Sequence, residues 1–217
     1  MGVRGFLLIT LLALGAAASA AQAATIPVTT TADVTAEDGL CSLREAILAA
    51  RVNLPVQGCP AGSVDGVDTV QLSAATYTLA QPGPGEDGNM TGDLDTGPGH
   101  AMRITGRGAG TTVIDANGLD RAFDVFATAT LTLEDLAVRG GVAPGGKVTD
   151  NPEAGGDGGA VHNLGSLSVA RVAFEDNVAG AGDGGSFGED GGTGGGGGAI
   201  WSGSGAGDPC PDRWIAA

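Results

Sequence analysis

The sequence predicts an all-β solenoid, a stack of coils covered at its N-terminal end by one short helix. Apolar pairs at period two recur down the chain with turn residues between them: Val70 and Leu72, Tyr77 and Leu79, Met102 and Ile104, Phe123 and Val125, Leu131 and Leu133, Leu136 and Val138. Short strands with Gly, Asn or Asp at the corners point to β structure. The segments also repeat. Leu131 to Val138 matches Leu167 to Phe174 at a constant offset of 36 with each apolar position kept, and Gly158-Gly159-Ala160-Val161 returns as Gly197-Gly198-Ala199-Ile200 at an offset of 39. Gly-Gly-Ala-apolar, Leu-x-Val and Val-x-Phe-x-x-Asn read as three faces of one coil. Such a coil cannot bury its apolar face alone, so coils must stack. A sandwich or barrel would give no reason for the repeated Gly-Gly-Ala-apolar corner.

Residues 1–23 read as a secretory signal peptide: Arg4 supplies the positive start, Phe6 to Ala18 the apolar run, and Ala21-Gln22-Ala23 a cleavage site, with Ala18-Ser19-Ala20 as a second. The alternative, a membrane anchor, needs about 20 unbroken apolar residues, and this run is shorter. No later segment is apolar enough to span a membrane, so the expected product is secreted or held at the cell surface with no transmembrane segment after cleavage. Residues 24–67 then form an N-terminal strand and the capping helix. Thr25 to Thr31 is β-branched, Asp33 to Gly39 is turn-like, and Cys41-Ser42-Leu43-Arg44-Glu45-Ala46-Ile47 opens a helix running to about Asn53. Ser42 and Glu45 make a capping box, each positioned to satisfy the other's backbone N–H. Leu43, Ile47 and Ala50 share one face, while Arg44, Glu45 and Arg51 are expected to point away.

Residues 68–205 hold the coils, with Gly-rich segments 140–159 and 180–198 bulging from one corner. Seventeen of the 41 glycines precede residue 139 and 24 follow it, so composition shifts within one elongated unit. Residues 206–217 fit no coil. After Ile200-Trp201-Ser202 a further Leu-x-Val segment is due, and Asp208-Pro209-Cys210-Pro211 stands there instead. The expectation is a truncated or frame-shifted tail.

The whole chain carries a net charge of −15, and loss of residues 1–23 removes Arg4 alone, leaving nine basic and 25 acidic side chains and a net charge of −16. Basic residues are scattered singly, which excludes nucleic acid and anionic lipid as expected partners. Cys41 and Cys59 are 18 residues apart and bracket the helix. In an oxidising compartment they close a disulfide worth about 3 kcal/mol in the loop-entropy model; two buried thiols are the alternative. Cys210 is the odd one out.

The C-S-L-R-E-A-I stretch, with Asp68-Thr69-Val70-Gln71-Leu72, Tyr77-Thr78-Leu79, Gly92-Asp93-Leu94-Asp95 and Ile104-Thr105-Gly106, resembles the exported bacterial proteins named for the CSLREA motif over roughly residues 28–202. That resemblance implies a right-handed parallel β-helix and no defined activity. Gly-Gly-Ala-Val and Phe174-Glu175-Asp176-Asn177 also resemble the paired repeats of polymorphic outer-membrane proteins, which implies an adhesive role.

Candidate chemistry is sparse, and no catalytic residue is assigned. Asp87, Asn89, Thr91, Asp93 and Asp95 place oxygen ligands at alternate positions of a calcium-type loop with Gly92 at its sixth position, which suggests a weak extracellular Ca²⁺ site. Pro98 stands where a bidentate Glu belongs, and a solvated acidic turn with Asx-type hydrogen bonds is the structural alternative. Asp93 and Asp95 would lie about 7 Å apart on a strand, a spacing glycosidases use, although the Gly and Pro around them read as loop. His162 follows Val161 and reads as an exposed residue; Asn163 and Asn177 read as corner asparagines that satisfy backbone groups. The functional expectation is a structural or adhesive module binding an extracellular glycan or surface protein. The competing expectation is a polysaccharide lyase or glycosidase.

Overall fold

A computed structural model describes residues 23–143, 157–180 and 199–202. Most of the signal peptide, the middle of both Gly-rich segments, the tail 206–217 and Cys210 lie outside them. The described strands are β1 (Thr25–Pro27), β2 (Asp68–Gln71), β3 (Thr76–Thr78), β4 (Leu94–Asp95), β5 (Ala101–Thr105), β6 (Val113–Asp115), β7 (Phe123–Val125), β8 (Thr130–Arg139), β9 (Val161–Asn163), β10 (Ser166–Glu175) and β11 (Ile200–Ser202), with one helix, α1 (Leu43–Val52). Seven strands form one sheet in the order β1-β2-β5-β8-β6-β3, with β10 on β8, and four form a second in the order β11-β9-β7-β4. Each pairing between strands is parallel.

This arrangement corrects the expected fold class. The described residues make parallel sheets in a half-barrel with a single packed helix, a mixed α/β-like arrangement, and not an all-β right-handed β-helix solenoid. A solenoid coil of the expected kind has three separate faces, but here the second and third are not separate. Leu131 to Val138 is one continuous strand, β8, pairing with β5 through residues 130–134 and with β6 through 137–139. The intended corner is a single residue in left-handed conformation, Asp135 at φ 55°, matched in β10 by Arg171 at φ 55°. One such residue bends a strand while the ladder resumes on either side, as in a bulge. Ala170 therefore pairs with Glu134 and Val172 with Leu136, while Arg171 and Asp135 drop out of the register.

The core follows the period-two pattern. Ile26, Val70, Ile104, Leu133 and Val169 are successive register partners, and the first four are fully buried. Leu94, Phe123, Val161 and Ile200 form the matching buried row of the second sheet. Parallel in-register strands stack like side chains about 4.8 Å apart. The segments repeated at an offset of 36 thus lie side by side as β8 and β10.

Helix α1 closes the core with Leu43, Ala46, Ile47, Ala49 and Ala50. Its capping box is formed: the Ser42 hydroxyl accepts from the Glu45 N–H at 3.2 Å and Glu45 Oε2 accepts from the Ser42 N–H at 2.9 Å. Asn53 ends it in left-handed conformation. The Cys41–Cys59 disulfide joins the start of the helix to the loop beyond it, with Cα atoms 4.7 Å apart. Arg44 and Glu45 do not point away as expected; both are fully buried. Among the described residues, no helix is long and apolar enough to cross a membrane.

Candidate functional site

Because strand side chains alternate, the residues after the buried row of the second sheet form a row on its other face. The register places Asp95, Asp124, His162 and Trp201 side by side across β4, β7, β9 and β11. His162 Nδ1 lies 3.2 and 3.3 Å from the two Asp124 carboxylate oxygens. The imidazole also stacks on the Trp201 indole, with ring centroids 4.8 Å apart and planes 13° from parallel.

At the β4 end the row becomes a carboxylate cluster. Asp93, Asp95 and Asp124 each offer one oxygen within 4.8 Å of the others. Asp93 is 2% exposed and Asp95 0%. Asp93 Oδ2 and Asp95 Oδ1 are buried without a hydrogen-bond partner. Arg121 Nη1 is 3.7 Å from Asp93 Oδ2, close enough to attract it and too far to hydrogen-bond. Burial, followed by the charges of Asp120 and Asp95, pushes the Asp93 carboxyl up to about 8 despite Arg121. Burial also lifts Asp95 to about 7, against the Asn89 backbone N–H and Arg51. Aspartates directly opposite one another across a ladder repel, and here the protein supplies only part of the compensation.

The 81–93 loop and the helix fix the cluster in place. Glu86 gathers the loop, its carboxylate accepting from the N–H groups of Gly88, Met90 and Thr91, the last two at 2.6 and 2.9 Å. These bonds hold Glu86 below the usual carboxylate range, although its partial burial works the other way. Asn89 and Asp95 are laced together: the Asn89 N–H donates to Asp95 Oδ2 at 2.7 Å and the Asp95 N–H to Asn89 Oδ1 at 3.2 Å. Asn89 Nδ2 then donates to the Arg44 carbonyl at 2.8 Å. The Arg44 guanidinium donates to the carbonyls of Thr91, Gly92 and Asp93 at 3.3, 2.9 and 2.9 Å. The same guanidinium forks onto Asp33 at 2.8 and 3.2 Å. Arg44 thereby ties the helix to the backbone that presents Asp93.

Of the residues the sequence placed in a calcium loop, Asp93 and Asp95 come together, and a residue from outside that loop, Asp124, joins them. Asn89 uses both ends of its amide on protein groups, Nδ2 on the Arg44 carbonyl and Oδ1 on the Asp95 N–H. Thr91 Oγ1 donates to the Gly83 carbonyl at 3.2 Å, and the Asp87 carbonyl accepts from Arg51 at 3.4 Å. His162, expected to be exposed, is partly buried against Asp124. Both asparagines do satisfy backbone groups, though not at corners of a solenoid coil: Asn163 Oδ1 accepts from the Gly165 N–H at 3.2 Å while its Nδ2 donates to Ser202 Oγ at 2.8 Å, and Asn177 bridges the Gly141 N–H and the Val138 carbonyl. Sequence reasoning missed Asp124, Arg121 and Trp201. The signal was present: Ala122-Phe123-Asp124, Ala160-Val161-His162 and Ala199-Ile200-Trp201 are one Ala-apolar-variable triplet repeated. The variable position is the outward row. Comparison of the chain with protein-family models, curated proteins and solved structures finds no match.

Proposed function

We propose that the protein is an exported surface or secreted module with a structural and adhesive role, and that its Asp124–His162–Trp201 row binds an extracellular glycan. The single observation behind this reading is the in-register row itself, in which a carboxylate, an imidazole and an indole stand on adjacent strands. Sugar rings present C–H faces that pack on aromatic rings, and hydroxyls that hydrogen-bond to carboxylate and imidazole. The acidic chain, the signal-like residues 1–23 and the likeness to CSLREA-motif proteins support export and a role outside the cell. Burial favours binding over hydrolysis. Asp93 and Asp95, the two carboxyls whose raised pKa suits an acid catalyst, are closed off from a polymer's glycosidic oxygen, which a general acid must approach to about 3 Å. A glycan-array screen followed by incubation with the bound polysaccharides tests the proposal. Binding that is lost in Trp201→Ala without chain cleavage is the expected result. Release of reducing ends or unsaturated products would make the protein a glycosidase or lyase and overturn it.

A further inference from the structure

The structure assigns a second site at the β4 end of the outward row, which shares Asp124 with that row and is argued without regard to whether the row binds a glycan. We propose that Asp93, Asp95 and Asp124 together bind a hard divalent cation of the calcium class. Three separate observations lead there. The first is geometry: one oxygen from each carboxylate lies within 4.8 Å of the others. Oxygens about 2.4 Å from a shared calcium ion are at most about 4.8 Å apart, so the three carboxylates are close enough to converge on one ion with small side-chain adjustments. The second is the pair of orphaned atoms. Asp93 Oδ2 and Asp95 Oδ1 are buried, without hydrogen-bond partners, on residues that are 2% and 0% exposed. A buried carboxylate oxygen without a hydrogen-bond donor carries most of its desolvation cost, which Arg121 at 3.7 Å only partly offsets for Asp93, and native proteins usually satisfy such an atom with a donor, a water or an ion.

The third observation is the rigidity of the donors. Asp95 is held through Asn89 to the helix, and the backbone at Asp93 is held by Arg44. Asp124 sits on a central strand of its sheet. Donors fixed in this way do not have to be ordered when the ion arrives, which favours binding. The donor set, carboxylate oxygen without sulfur, suits calcium or magnesium over zinc or copper. The charge balance also leaves room for a dication. Asp93, Asp95, Asp124 and the neighbouring Asp120 are four acids, faced by Arg121, by Arg51 near Asp95 and by His162 on Asp124. Asp124 is the most accessible ligand of the three, with its side chain 17% exposed, and marks the route of entry. A bound ion would pin the 81–93 loop to β7.

The test uses the full exported chain after treatment with a chelator, titrated with calcium chloride by isothermal calorimetry and by thermal melting at fixed pH. One ion per chain and a rise in Tm are expected. Asp124→Asn should weaken binding at least about tenfold, with an unchanged circular dichroism spectrum as the folding control. Asp93→Asn gives a second arm that does not depend on the first. It removes a buried carboxyl that the fold accommodates poorly, so the chelated variant should melt higher than the chelated wild type, yet calcium should no longer raise its Tm. Absence of binding heat in the wild type at millimolar calcium overturns the site. A calcium-induced rise in Tm that survives in Asp93→Asn does so as well. Neither readout involves a glycan, so failure here is distinct from failure of the adhesive reading.

Discussion

Two buried clusters of charge flank the 81–93 loop, and they are built in opposite ways. At Arg44 all five guanidinium N–H groups are used, two on Asp33 and three on the loop carbonyls. Asp33 in turn accepts from the N–H groups of Ala80 and Gln81 at 2.8 and 3.2 Å. At Asp93 and Asp95 two carboxylate oxygens are left over. The residues of the first cluster do structural work, since nothing remains on them for a ligand to contact. The second holds unspent capacity at the end of the outward row of Asp124, His162 and Trp201. Satisfaction of hydrogen bonds, more than burial or charge, separates scaffold from candidate site.

The largest expected effect breaks the satisfied cluster. Arg44→Met keeps most of the side-chain volume but strands Asp33 in the core and frees three loop carbonyls. Removing one partner of a buried pair costs about 3–5 kcal/mol. Urea unfolding should show a midpoint lowered accordingly with the m-value retained. A loss below about 1 kcal/mol would mean that the pair only offsets its own desolvation.

The unsatisfied cluster should respond to pH in the opposite sense to an ordinary salt bridge. Asp93 and Asp95 titrate in the fold at about 8 and about 7, above their ordinary value of 3.8. A carboxyl raised on folding stabilises the fold fully below its unfolded pKa, and that contribution is lost as pH rises through the folded one. The chelated protein should therefore lose stability steadily between about pH 5 and about pH 8. Glu86 is shifted the other way, below 4.5, and contributes no slope in that window. Melting curves across the window check this, with Asp93→Asn isolating the carboxyl from His162 and from Asp120, Asp124, Arg121 and Arg51 around it. A wild-type profile as flat as that of the variant would show that water or relaxation already solvates the cluster.

How much of this was legible in the sequence depended on the separation of the partners. The capping box joins residues three apart and the Cys41–Cys59 disulfide residues 18 apart, and both are formed. The period-two pairs give the buried rows, and the offset of 36 gives the register of β8 with β10. Arg44 was misplaced because its loop partners, Thr91, Gly92 and Asp93, lie 47 to 49 residues away, and its nearer partner Asp33, 11 residues back, sits in a turn-like stretch. An Arg on the polar side of a short helix gives no local sign that a distant loop will close over it. Asp124 was missed for the same reason, since only the cross-strand register brings it to Asp95. The fold class was overturned at one residue per strand. The Leu-x-Val and Val-x-Phe segments read as two faces, and a left-handed residue between them, Asp135 or Arg171, can equally bend one strand and leave it whole.

The smallest expected effect sharpens the comparison at that bend. Arg171 and Asp135 pair through the same atoms as Arg44 and Asp33, Nε to Oδ1 at 2.6 Å and Nη2 to Oδ2 at 2.8 Å. The Arg171 bonds are shorter than those of Arg44, and the side-chain hydrogen bond holds Asp135 below its ordinary pKa. This pair is solvent-exposed, where salt screens the attraction and ordering two side chains offsets it. Arg171→Gln should accordingly leave Tm unchanged at physiological salt, in contrast to Arg44→Met. Asp135→Val should matter more than loss of the pair, because a β-branched residue at φ 55° is strained whereas Asp tolerates the left-handed region. If Arg171→Gln instead melted as low as Asp135→Val, charge would be holding the bend, and burial would no longer account for the difference between the two arginine forks.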